Sequence, residues 1–137
     1  MRFHGLAQLF YQWGWEIKHE HYTAFSDYLK EMLKRNRVMV VMNGEEIEAV
    51  ITYYLTDDYE KLFKKSTWEV VNDDPDGSQI YIDKMVCKKF NKELRVRLAQ
   101  AIEEKFPNVV EGFYHRAPFD RCIKIRRKHE LQSNISK

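Results

Sequence analysis

Two cysteines in 137 residues, Cys87 and Cys122, are too few for a disulfide framework or for a closed zinc site built on thiolates. Their scarcity predicts a reducing, cytoplasmic setting. No apolar run approaches the roughly 20 residues that a membrane helix requires, so no membrane association is expected. The N-terminal stretch holds an arginine and an apolar run, but Trp13, Gly14, Trp15 and Glu16 interrupt it and no small-residue cleavage site follows. It reads as a folded helix. Internal repeats and low-complexity tracts are also missing, which excludes solenoids and disordered linkers.

What is present is a hydrophobic content of 44% with 14% aromatic residues, the composition of a packed globule, and 32% charged residues to coat it. The length predicts one domain over residues 1–128, able to bury about two-thirds of its unfolded surface, followed by a polar tail over 129–137. A net charge of +2 hides an asymmetry. Acidic residues gather between Glu45 and Asp76, and Lys84 to Lys128 carries most of the excess positive charge, which invites phosphate-bearing partners.

Apolar residues at helical spacing predict helices over residues 3–18 (Phe3, Leu6, Phe10, Trp13, Ile17) and 21–34 (Tyr22, Phe25, Leu29, Met32, Leu33), with Gly14 the weak point of the first. Val38 to Met42 reads as a strand, Asn43-Gly44 as a type I′ hairpin turn, and Glu46 to Leu55 as the return strand. Thr56 to Lys65 carries a capping signature for a short helix or turn, Trp68 to Val71 is an optional strand, and Asn72 to Ser78 is an exposed loop.

Gln79 to Pro107 is the organising stretch. Alternation from Gln79 to Cys87 predicts a central strand with Ile80, Ile82 and Lys84 on one face and Tyr81, Asp83, Met85 and Cys87 on the other. Asn91 is placed to cap a helix whose buried stripe is Leu94, Leu98, Ala101 and Ile102, and which ends at Phe106-Pro107. Val109 to His115 and Phe119 to Arg127 complete the pattern as strands. The expected order is α-α-β-β-(β)-β-α-β-β: an α/β (α+β) domain with a mixed sheet of about five to six strands and helices on both faces.

The hairpin MVVMNGEEIEAVITYYL and the segment QIYIDKMVCKKFNKELRVRLAQAIEEKFP resemble the second and third strands, and the fourth strand, pyrophosphate loop and third helix, of the Gcn5-related N-acetyltransferase (GNAT) fold without its usual first strand. The chain is also similar in style to small acetyltransferase-like proteins that tailed bacteriophages encode. The resemblance implies an acyl-coenzyme A-dependent N-acetyltransferase binding acetyl-CoA, acting on an amine acceptor in the host cytoplasm or virion. Met85, Val86 and Cys87 would face the pantetheine arm, and Lys88, Lys89, Phe90, Asn91 and Lys92 would form the loop around the pyrophosphate. The family's loop glycines are absent, so lysine charge would replace backbone contact.

Acyl transfer needs a base for the attacking nitrogen and an acid for the departing thiolate. Asp83 is the first candidate base, with Glu48 and Glu111 as substitutes, and Tyr114 is the candidate acid. Asp83 would otherwise form an ion pair with Lys84 or an arginine, and Tyr114 would otherwise be a core aromatic. His19 and His21 are spaced to point apart, so no metal is expected. Cys122 with His115 and Asp120 forms a nucleophilic set on paper, but a buried cysteine acting as a small hydrophobe is the simpler reading.

Two other functions stay open. One is a non-catalytic phage or virion-associated protein that kept the fold, with a partner protein or a second copy covering the aromatic first helix (Phe3, Phe10, Trp13, Trp15). The other, ranked below it, is nucleic-acid binding through Lys88, Lys89, Lys92, Arg95, Arg97, Arg116, Arg121, Lys124, Arg126 and Arg127.

Overall fold

The computed structural model describes residues 2–15, 17–116 and 119–124, with side chains as far as Tyr114. In chain order its elements are α1 (Phe3–Gln12), a 3₁₀ turn (His19–His21), α2 (Tyr22–Lys34), β1 (Val38–Asn43), β2 (Glu46–Thr56), a 3₁₀ helix (Tyr59–Lys64), β3 (Gln79–Cys87), α3 (Lys92–Lys105), β4 (Glu111–Arg116) and β5 (Phe119–Lys124). The strands form one mixed sheet in the order β1-β2-β3-β4-β5. All neighbours are antiparallel except β3 and β4, which run parallel because α3 carries the chain back across the sheet. The general mixed α/β class follows from the sequence. The optional strand over Trp68–Val71 does not form.

Each face of the sheet has its own core. Leu94, Leu98 and Ile102 of α3 are fully buried against Val41, Ile51, Tyr53, Ile80 and Ile82, each apolar side chain contributing about 2 kcal/mol by leaving water. On the opposite face, Leu6 and Phe10 of α1 and Phe25, Tyr28, Leu29 and Met32 of α2 cover Val50, Tyr54, Tyr81 and Val86. β2 runs between both layers, and every residue from Ala49 to Leu55 is buried.

α1 is shorter than its apolar periodicity suggested. Gly14 takes φ 99°, and the amides of Gly14 and Trp15 bond back to the carbonyls of Tyr11 and Phe10 at 3.4 and 2.9 Å. Gly14 is thus the left-handed residue that stops the helix, and Trp15 folds its ring against Phe10. Asn36, at φ 58°, ends α2 in the same way. The surplus aromatics of the first helix find neighbours within the chain: Phe10 meets Phe25, and Trp15 meets Trp68.

The hairpin turn also differs. Asn43 pairs with Glu46, so the two loop residues are Gly44 and Glu45, with positive φ at Gly44 alone (63°), the pattern of a glycine-first turn. The segment Asn72–Ser78 is less free than expected. Asp73 binds Arg37 at 2.6 Å and the Leu55 amide at 3.1 Å, and Gly77 is buried with no room for a Cβ beside the Thr56 backbone.

Trp68–Val71 lies instead as a strap across the α1/α2 face. The Tyr54 hydroxyl donates to the Glu69 carbonyl and accepts from the Val71 amide, both at 3.4 Å, and Arg35 donates to the Val71 carbonyl at 3.2 Å. Side chains take up backbone groups that a ladder would have used. Trp68 is thereby seated over Phe25 and Tyr28.

Candidate functional site

β3 departs from simple alternation at Asp83. Opposite β2, Thr52 faces Lys84 and Tyr53 faces Ile82, which leaves Asp83 as an extra residue in a bulge. The bulge shifts the pleat, so Ile80, Ile82, Met85 and Cys87 belong to the α3 face while Tyr81 and Val86 belong to the α1/α2 face. Asp83 and Lys84, expected on opposite faces, both turn toward α2. The Thr52 hydroxyl anchors the distortion by accepting the Lys84 amide at 3.1 Å while bonding the Tyr28 hydroxyl at 2.6 Å.

Around the bulge lies a buried group of charges. The Asp83 carboxylate is only 4% exposed. Its Oδ2 accepts the Tyr28 hydroxyl and lies 3.1 Å from Lys65 Nζ, and its Oδ1 lies 3.5 Å from Lys84 Nζ. Lys65 Nζ is well supplied, also donating to the Ser66 and Thr67 carbonyls at 2.8 and 3.3 Å. Lys84 is not. Apart from the long contact to Asp83, its ammonium has, among the described residues, only the faces of Trp68 and Tyr28, at 5.2 and 5.7 Å. Burial, reinforced by the Lys65 charge, pulls the Lys84 amine below its ordinary value against the opposing pull of Asp83. Burial and then the Asp83 charge push the Tyr28 hydroxyl far up, which keeps it a donor.

Beside this group the sheet opens. The parallel ladder between β3 and β4 ends at the pair Ile82–Tyr114, while β3 continues to Cys87 and β4 to Arg116. A cavity of about 570 Å³ occupies the opening. It reaches both faces: Trp15, Lys65, Asp83 and Lys84 line it on the α2 side, and Met85, Cys87, Phe90 and Tyr114 on the α3 side. That volume falls within the range of small-molecule sites.

Of the residues singled out from sequence, Asp83, Tyr114, Met85 and Cys87 meet at this cavity. The Val86 side chain turns away into the α1/α2 core, 1% exposed. Lys88, Lys89 and Lys92 are exposed outside the cavity lining, and Lys88 stands 3.6 Å from Glu46. The Asn91 side chain accepts the Leu94 amide at 2.9 Å, so it caps α3 as expected and is already engaged. Phe90 packs edge-on to Tyr114 at 6.1 Å and forms part of the cavity wall.

Glu48, a substitute base, is held by Nε and Nη2 of the Arg97 guanidinium, which lowers its carboxyl from the usual range. Glu111 opens β4 at the other end of the ladder. The side chains of His115, Arg116, Asp120, Arg121, Cys122, Lys124, Arg126 and Arg127 lie outside the described residues. Among the described residues no three metal-ligating side chains converge, and no helix is long and apolar enough to cross a membrane.

Tyr28, Thr52, Lys65 and Trp68 were not singled out as site residues. Tyr28 had a readable signal, sitting three residues after Phe25 and four before Met32, on the buried stripe of α2 with a polar tip. Lys65 and Trp68 reach the site through a 3₁₀ helix and a strap that carry no strong local pattern. The chain matches no protein-family model and no curated protein sequence.

Proposed function

We propose that the chain is a GNAT-like protein that binds an acyl-coenzyme A thioester in the cleft between β3 and β4 and transfers the acyl group to nitrogen. The observation that carries this reading is the early end of the β3–β4 ladder, which leaves a 570 Å³ cavity running from one face of the sheet to the other. A thioester arm entering on the Met85 and Cys87 side would bring its carbonyl to the bulge, with the Asp83 group on one side and the Tyr114 hydroxyl on the other. The attacking nitrogen would give its proton to the Asp83 group, and Tyr114 would protonate the thiolate as the C–S bond breaks. The pyrophosphate would be met by the charges of Lys89 and Lys92 in place of loop glycines.

The test is thermal unfolding with acetyl-CoA together with an assay of acetyl transfer to amines. A ligand at a hundred times its Kd stabilises the fold by about 2.7 kcal/mol. No shift at millimolar acetyl-CoA would refute binding. A non-catalytic protein that retained the fold is the second reading, favoured by one observation: Asn91 already occupies the Leu94 amide, a donor that a phosphate would otherwise use. A shift without transfer to any amine supports that second reading.

A further inference from the structure

The Asp83 group is over-supplied with cations. Lys65 and Lys84, 5% and 8% exposed, share one carboxylate. Lys65 fills its hydrogen bonds at Asp83, Ser66 and Thr67, whereas Lys84 faces the cavity with one polar contact among the described residues, to Asp83 at 3.5 Å. Among the described residues the ionisable groups facing Lys84 are Asp83 on its own strand, Lys65 beyond the 3₁₀ helix and the Tyr28 hydroxyl of α2. A third ammonium entering to serve as acceptor would meet the two already there. An amine is already present on the cavity wall.

We infer that Lys84 is itself an acyl acceptor, a modification site at which the cavity takes an acyl group from a thioester or other activated ester. This deepens the acyl-transfer reading but rests on the cavity and not on coenzyme recognition. The neutral Lys84 amine attacks the carbonyl carbon, a C–N bond forms, and the C–S or C–O bond breaks with its electron pair leaving on the thiolate or alkoxide. The proton lost from nitrogen passes by way of Asp83 to the leaving group or to water. The product amide is uncharged, and the remaining pair, Lys65 with Asp83, is balanced one to one. The lowered proton affinity of Lys84 acts in the same direction by raising the neutral fraction at ordinary pH.

The experiment incubates the full chain with acetyl-CoA in one arm and with S-acetyl-N-acetylcysteamine, which has no nucleotide, in the other. Acetylated sites are then mapped by peptide mass spectrometry. Lys84 is expected to take the label from the small thioester ahead of exposed Lys88 and Lys89, because the cavity holds the thioester beside its amine. Lys84→Arg keeps the charge, should keep the melting temperature, and should lose this label. Acetylation by the small donor but not by acetyl-CoA would sink the coenzyme reading and leave the inference standing. Acetyl-CoA binding with Lys84 unlabelled by either donor, or label confined to Cys87 or to surface lysines, would overturn it.

Discussion

Replacing Asp83 with asparagine keeps its shape and removes the only carboxylate that faces Lys65 and Lys84 among the described residues. Both ammoniums lose that carboxylate at 5% and 8% exposure, where hydration through the cavity restores only part of what the ion pair supplied. Breaking a buried pair by removing one partner costs about 3–5 kcal/mol, and the lower figure already lowers Tm by about 10 °C in a domain of this size. Lys84→Met behaves differently, because Asp83 keeps Lys65 at 3.1 Å and the Tyr28 hydroxyl. Removing the surplus cation should leave stability unchanged or raise it by about 1 kcal/mol. The double variant Asp83→Asn/Lys84→Met should therefore recover part of what Asp83→Asn loses, a coupling of about 1 kcal/mol or more. Urea unfolding of the four proteins measures all of these quantities. An Asp83→Asn protein that unfolds at the wild-type midpoint, or a double variant weaker than the sum of its parts, would refute the buried two-cation arrangement.

Three further outcomes are expected. Because Lys84 has its proton affinity lowered by folding, the folded chain binds fewer protons than the unfolded chain between that lowered value and the ordinary 10.5, so stability rises with pH across that window. Wild type should gain on Lys84→Met between neutral pH and about pH 10, and a constant difference in urea midpoint would contradict this. Gly77→Ala would place a Cβ 2.5 Å from the Thr56 backbone nitrogen, and the forced backbone shift should cost about 2 kcal/mol in urea unfolding. Tyr114→Phe should lower acyl transfer by about 10²-fold with an unchanged melting temperature, and retention of full activity would remove Tyr114 as the acid.

Where local chemistry decides, the sequence was readable. Asn91 caps α3, Leu94, Leu98 and Ile102 form its buried stripe, and the return strand over Glu46 to Leu55 forms with nearly the expected bounds. The Asp83–Lys84 contact was also foreseeable as an ion pair. What could not be read locally was the bulge that turns both residues to one face, because it depends on a hydroxyl from β2 and another from α2 that lie far away in sequence. Gly14 has a similar lesson: apolar periodicity continues past it, yet a glycine free to take positive φ ends the helix and sends Trp15 back over Phe10. Trp68–Val71 had strand-like residues, but its backbone groups are taken by the side chains of Tyr54 and Arg35 instead of by a neighbouring strand.

The cleft between β3 and β4 is tested most directly by titrating the labelled protein with acetyl-CoA and following backbone amide shifts. A thioester arm in that cleft should give saturable shifts clustered at Asp83 to Cys87 and at Tyr114, with smaller ones at Lys89 and Lys92. Amides there that stay fixed at millimolar acetyl-CoA, or shifts confined to the exposed lysines, would contradict the proposed acyl-transfer site.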